Sequence, residues 1–492
     1  MSRLSRRAGL TLLLALALAA CGRQKSDGQR SLPSGDGVWL SAGLSGGEPE
    51  AQEILRRGAF ARVFLPAVRL LAEGGVWKTA ASPLPPTPVT AVPVVFVVES
   101  DGDFEAAFLP GAEETVAAAI GDGLSRALQR RGQFGRVEGV HLDLPFRAEA
   151  TEAFGALATR LRARLPGDLF LTATLGFVPP KKERKDFVQR LASLDGFVAF
   201  VYGIGAGTDP IAADALGKPW WAGYRSGARG EGSGASETPR AGLTERFLEG
   251  LTESGEVSLE HDLALRQEGV SGFVFRPSAA VTIDGARFEA GDRIAFAQPS
   301  VSELLYRFGA DLAGRRLVRG RLVALDGSAE SERVFTMAAL SDVLLGRPLL
   351  PDLRVSLRAE EAGLRLAAEN FSTHASVVSR TVNWVEVDLP SGQISDVQPG
   401  GFDRYEVFDA EGRPVTPGRA TRVRFFETLI APREQIEDAV ILLRGRPAAE
   451  GHRFRQHVLA ASGTELAGDW MSPPPEPTPT PEPKPKARRK RR

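Results

Sequence analysis

A chain of 492 residues, 43% hydrophobic and 25% charged, is too long for one ordinary domain and too apolar for a disordered or fibrous protein. Its 61 basic and 61 acidic residues cancel, which removes the long-range attraction expected of a nucleic-acid partner and leaves only local charge effects. The single cysteine excludes an internal disulfide, and the five histidines show no metal-ligand spacing, so neither a metal nor another cofactor is expected.

The basic start Met1 to Arg7 leads into an apolar run, Leu10 to Ala20, that ends at Cys21. A basic start and about 7 to 15 apolar residues make a secretory signal, too short for a span of about 20. Leu18-Ala19-Ala20-Cys21 closely resembles the lipobox of bacterial lipoproteins, which implies that Cys21 is acylated. The expected location is therefore a bacterial membrane, facing periplasm or cell surface, with lipid as a partner through Cys21.

A polar linker, 22–36, precedes strand-like runs that alternate with helix-like ones. Strands are predicted at Val38–Ser41, Ala61–Val68, Val92–Glu99, Gly139–Pro145, Asp168–Leu175, Gly196–Tyr202, Pro219–Arg225 and Gly269–Arg276. Helices are predicted at Glu48–Arg57, Ala112–Arg131, Glu149–Arg164, Lys181–Leu194, Ser258–Gln267 and Ser300–Ala313. A Gly-rich loop, Gly227–Gly234, and an insertion around Val281–Ile294 interrupt the pattern. Eight such units match an α/β fold of the (β/α)8 TIM-like barrel type, expected over 37–314, ahead of an open doubly wound sheet.

After a connector, 315–351, short alternating segments such as Leu353–Arg358, Leu364–Ala368, Val382–Val387 and Ala439–Leu443 predict a C-terminal β-sandwich over 352–471. The tail, 472–492, is Pro-rich and then carries Lys or Arg at all but two positions of Lys484–Arg492. It cannot bury a core, and its expected partner is an anionic polymer or lipid surface.

The fourth strand, Gly139-Val-His-Leu-Asp-Leu-Pro145, places His141 and Asp143 on one face and Val140, Leu142 and Leu144 on the other. Val140–Leu144, Leu171–Leu175, Phe197–Tyr202, Gly223–Arg225 and Gly272–Pro277 together resemble a bacterial family designated domain of unknown function 3142. That resemblance covers about Gly37 to Ala313 and implies an exported protein with a glycoside-hydrolase-like barrel. The family pattern has a second acidic residue two positions after the first, where this chain has Pro145.

Glycoside hydrolysis needs two carboxyl groups about 5 to 9.5 Å apart. Asp143 and Glu99, ending neighbouring strands, are the candidate catalytic pair, with Asp101 as substitute for Glu99 and as a substrate contact. Tyr202 and Tyr224, with Trp220 and Trp221, are candidate walls for sugar rings, and Arg225 and Arg276 candidate hydroxyl or carboxylate holders. The opposing reading makes Asp143 and Arg276 a structural ion pair, His141 a satisfied core residue and the tryptophans core. The expected function is a lipoprotein whose barrel binds or hydrolyses a polysaccharide, against an envelope scaffold without catalysis.

Overall fold

The computed structural model describes residues 32–40, 47–73, 76–80, 84–100, 104, 108–202, 208–225, 229–233, 254–262, 270–283, 286–299, 309, 312–325, 336–360, 363–389, 394–444 and 451–472. Cys21, Asp101 and the cationic tail lie outside these residues. Among the described residues no helix is long and apolar enough to cross a membrane. The chain divides into two units, Met1–Ser258 with Phe275–Pro348, and Leu259–Val274 with Leu349–Arg492.

In the first unit, strands β1 (Gly37–Leu40), β2 (Arg62–Glu73), β3 (Val76–Thr79), β4 (Val94–Ser100), β5 (Val137–Asp143), β6 (Phe170–Thr174), β7 (Gly196–Tyr202) and β8 (Trp220–Arg225) come first. Helices α1 (Pro49–Arg56), α2 (Glu113–Gln129), α3 (Thr151–Arg164), α4 (Arg184–Arg190) and α5 (Pro210–Asp214) lie between them. There follow β9 (Arg229–Ser233), then β10 (Val257–Asp262) and β11 (Val270–Pro277), which straddle the division into units, and then β12 (Val281–Ile283), β13 (Ala286–Phe288), β14 (Arg293–Pro299), β15 (Val318–Leu325) and helix α6 (Met337–Leu344).

Strand β1 pairs in parallel with both β2 and β15, and the order β1-β15-β8-β7-β6-β5-β4-β2 returns to β1. The chain therefore forms a closed (β/α)8 barrel. β3 adds antiparallel to the distal half of β2. The expected eighth strand, Gly269–Arg276, is not part of this wall. Its residues form β11, in a separate sheet of order β10-β11-β14-β9. The place is taken by β15, inside the expected connector.

The reason is in the side chains of β15. Val-Arg-Gly-Arg opens it and reads as a solvated segment, yet Arg321 is held by Asp36 through an ion pair. Gly320 also lies where a Cβ would meet the Gly35 carbonyl oxygen at 2.3 Å. The residues just before β1 thus belong to the barrel, and Leu32, expected in a linker, is buried in its core. Ser258–Gln267, expected to be helical, begins within β10.

The barrel interior is filled by alternate residues of each strand, as a period of two dictates. Trp39, Phe64, Val95, Val97, Phe170, Val198, Trp221 and Leu322 form one buried cluster inside. Bulk is matched by glycine across the wall. A Cβ on Gly139 would sit 2.2 Å from the Phe170 ring, and one on Gly223 would sit 2.7 Å from the Phe200 ring. At the N-terminal end of the strands, Arg62 donates to Glu138 at 2.7 Å in a buried ion pair and lies over Trp221.

The second unit contains β16 (Leu353–Ala359), β17 (Gly363–Asn370), β18 (Trp384–Asp388), β19 (Ile394–Gln398), β20 (Arg404–Phe408), β21 (Arg422–Phe426), β22 (Gln435–Leu443), β23 (Arg453–Leu459) and β24 (Glu465–Ala467). They form two antiparallel sheets, β16-β17-β22-β19 and β20-β21-β18-β23-β24. Inward residues such as Leu366, Ile441, Val385, Val387, Val423 and Phe425 make one shared core, so this is a β-sandwich.

The glycine–aromatic matching sets a measurable cost. Gly139→Ala should lower the unfolding free energy by about 1–3 kcal/mol, because the Phe170 ring must move from a packed position. Denaturant titration checks this, and Phe170→Leu in the same chain should recover part of the loss.

Candidate functional site

Active sites of such barrels are built at the C-terminal ends of the strands. Val140 and Leu142 of β5 and Leu144 just after it are fully buried, and His141 and Asp143 alternate with them on the inner face. β4 runs alongside in parallel, with Glu99 the register partner of Asp143. In a sheet such partners sit on one face about 4.8 Å apart.

β2 extends the row. Its register shifts between Pro66 and Val68, and after the shift Arg69 becomes the partner of Glu99. A guanidinium and two carboxylates therefore occupy one row across three adjacent strands, Arg69, Glu99 and Asp143. Asp143 and Glu99 are both partly exposed, at the place where the strands end.

From the other side, the Thr174 hydroxyl donates to Asp143 Oδ1 at 2.7 Å. His141 Nε2 is 3.0 Å from that same Thr174 oxygen, and His141 Nδ1 is 3.0 Å from Thr172 Oγ1. Thr174 has one proton and sends it to the carboxylate, so Nε2 must carry the hydrogen given to Thr174. His141, if neutral, then accepts from Thr172 at Nδ1. The hydrogen bonds thus run in one line from Thr172 through His141 and Thr174 to Asp143.

Burial keeps His141 neutral. It is completely enclosed, with Trp39 and Phe64 edge-on at ring centroid distances of 5.1 and 5.6 Å. Desolvation pushes its pKa from 6.5 down to about 3. The imidazole is thus a positioning group within the core and not a proton shuttle at neutral pH.

The other expected site residues fare unequally. Tyr224 is fully buried and, one position after the inward Gly223, lies on the outer face of β8, so it is not a wall for a sugar. Trp221 packs inside the barrel, and Trp220 outside it donates to Asp214 of α5 at 3.1 Å; both are core. Tyr202 and Arg225 end β7 and β8, which puts their backbones at the mouth. Arg276 lies on β11, outside the barrel wall, and its Nη1 donates to the Gly291 carbonyl at 2.6 Å. Asp101 lies outside the described residues.

Arg69, Thr172 and Thr174 were not singled out in the sequence. The threonines had a signal, since Leu171-Thr-Ala-Thr-Leu175 sets two hydroxyls on one strand face. Arg69 had none, because its phase depends on the shift at Ala67. Among the described residues no group of three or more His, Cys, Asp or Glu side chains is placed to hold a metal ion.

No protein-family model matches the sequence, and no curated protein sequence matches it. Similar solved structures include the spore cortex-lytic enzyme SleL of Bacillus cereus, with TM-score 0.37, 13% identity, and coverage of 64% of this chain and 74% of that one. Chitinase ChiA74 from Bacillus thuringiensis gives 0.36, 11%, 85% and 99% for the same quantities. The xylanase and α-amylase inhibitor protein XAIP-II from Scadoxus multiflorus gives 0.32, 12%, 65% and 100%. Likenesses this distant assign no activity, and the barrel rests on its own strand pairing.

The neutral histidine has a pH signature. In the folded chain His141 takes up its proton only near pH 3, whereas in the unfolded chain it does so near 6.5. Between those values the unfolded state binds more protons, so stability present above pH 6.5 is lost as the pH falls toward 3, by up to about 1.4 kcal/mol per pH unit. Urea unfolding of His141→Gln at a series of pH values should show a flatter slope across that window, whatever its absolute stability.

Proposed function

We propose that the mouth of the barrel binds a polysaccharide, with Asp143 as the carboxylate that meets it. The single observation carrying this reading is the in-register row of Arg69, Glu99 and Asp143, closed by the Thr174 hydroxyl. Sugar hydroxyls are met by charged hydrogen-bonding groups of both kinds, and this row offers a fork of donors beside carboxylate acceptors. The rigid strand ends hold the row, and the His141–Thr174 relay orients one acceptor within it.

The register of Glu99 and Asp143 also favours a second reading, hydrolysis. Strand spacing of about 4.8 Å is near the carboxyl separation of about 5–5.5 Å that retaining enzymes use. Such a reaction needs one of the two protonated. The row surrounds its carboxyl groups with donors, the Thr174 hydroxyl at Asp143 and Arg69 in register with Glu99, so binding without cleavage is the better-supported reading. In either reading the protein is exported and held at a bacterial membrane by acylated Cys21. The resemblance to domain of unknown function 3142 is in keeping with that placement.

Asp143→Asn should reduce retention on a glycan array by about tenfold or more, the worth of a charged hydrogen bond of about 1.5–3 kcal/mol, at an unchanged melting temperature. Equal retention would remove Asp143 from the proposal. For hydrolysis the measurement is release of reducing ends, which Glu99→Gln and Asp143→Asn should each abolish; activity surviving both replacements rules the pair out.

The anchor is tested separately. Cys21→Ser should move the protein from the membrane fraction to the soluble fraction of the cell, and an unchanged distribution would reject acylation at this residue.

A further inference from the structure

The outer face of the sheet β20-β21-β18-β23-β24 carries an unusual set of side chains. On β18 the core-facing residues are Val385 and Val387, so Trp384, Glu386 and Asp388 face away from the core. Register then fixes their neighbours. Glu386 pairs with Arg424 on β21 and Arg455 on β23, and Asp388 pairs with Arg422 and Arg453 on the same two strands.

The geometry hides the two central acids and presents the bases, while the exposed Glu406 of β20 and Glu465 of β24 lie toward the edges, paired with Arg404 and His457. The Glu386 and Asp388 side chains are 2% and 6% exposed, whereas those of Arg424, Arg455 and Arg453 are 28%, 34% and 46% exposed. Arg424 Nε and Nη2 donate to Glu386 at 3.0 and 2.6 Å. Arg453 uses Nε and Nη2 on Asp388, and Arg455 uses Nη2 on Glu386. Arg422 spends Nη2 on the Ala410 carbonyl. The Nη1 groups of all of them make no hydrogen bond among the described residues.

Rings lock the guanidinium planes in place. Arg455 lies 5.4 Å from the Trp384 ring and 4.6 Å from that of Trp470, with Arg424 on Trp384 at 4.4 Å and Arg453 on Trp470 at 4.8 Å. A stacked guanidinium loses little further freedom when it binds, which favours planar, directional recognition of an oxyanion. Residues two apart on a strand are about 7 Å apart, and β21 and β23, on either side of β18, are about 10 Å from each other. One small anion cannot span that lattice of arginines, and a chain with repeated anionic groups can.

We propose that this face binds a carboxylate-bearing polysaccharide, the Nη1 groups of Arg422, Arg424, Arg453 and Arg455 donating to its carboxylates. Charge complementarity identifies an anionic polymer, and the choice of a sugar chain rests on the reading of the barrel. The surface lies on the sandwich and is independent of Asp143.

The test uses the full chain and polygalacturonate, followed by affinity electrophoresis at low and physiological salt. Arg453→Lys with Arg455→Lys keeps the charges that Glu386 and Asp388 require but removes the flat, stacked forks. It should bind about tenfold more weakly, because a lysine ammonium cannot reproduce the planar two-donor fork, at a melting temperature near that of the parent. Both arms are run in an Asp143→Asn background, where the proposed barrel carboxylate cannot contribute, so failure here is separate from failure of the barrel reading. Absence of binding by the parent chain, undiminished binding by the lysine variant, or equal affinity for polyphosphate of matched charge would each overturn the proposal.

Discussion

Closure of the parallel wall is the constraint on which the first unit depends. Four residues of β1 pair with β15 on one side and three with β2 on the other, and with that pairing every strand of the wall acquires a neighbour on both edges. A closed barrel of this size has room for side chains and little else. Each inward position is then a claim on a shared volume, which is why Gly139 stands opposite Phe170 and Gly223 opposite Phe200. Leu32 and the Asp36–Arg321 ion pair join in at the lower end, so the segment before β1 and the strand that closes the wall are tied together.

The polar mouth is the upper boundary of that same filled interior. A buried imidazole is costly unless both ring nitrogens are satisfied, and Thr172 and Thr174 supply both partners from one strand. The pattern of donors then leaves Thr174 only one direction in which to send its proton, toward Asp143. A core requirement and an orientation at the site are thereby the same set of hydrogen bonds. Above the histidine, the shift in β2 adds Arg69 to the row of Glu99 and Asp143, balancing one of two adjacent negative charges.

The sandwich solves a similar problem on a flat surface. Its alternating strands bury Val385 and Val387 between the sheets, which obliges Glu386 and Asp388 to lie on the other face. Those acids are covered because arginines from both flanking strands fold over them, held in turn by Trp384 and Trp470. Pairing of this kind satisfies buried charge, and it leaves four arginines over two acids at the centre of the face in a chain whose net charge is zero.

What the sequence determined was whatever period and side-chain polarity settle locally. Val140, Leu142 and Leu144 against His141 and Asp143 fixed which face of β5 meets the interior, and Gly196–Tyr202 was legible to its ends because apolar runs bounded by turns leave few alternatives. The adjacency of Glu99 and Asp143 followed from consecutive parallel strands. Only the tertiary structure decided the rest. Gly269–Arg276 and Val318–Leu325 compete for one place in the wall, and the winner contains Arg321, whose countercharge, Asp36, lies 285 residues away. Likewise Tyr224 lost its place at the mouth to the alternation around Gly223, while Arg69 gained one through a single-residue shift. Closure and register are collective properties, since one residue of slip turns a side chain from core to solvent, and no local pattern records them.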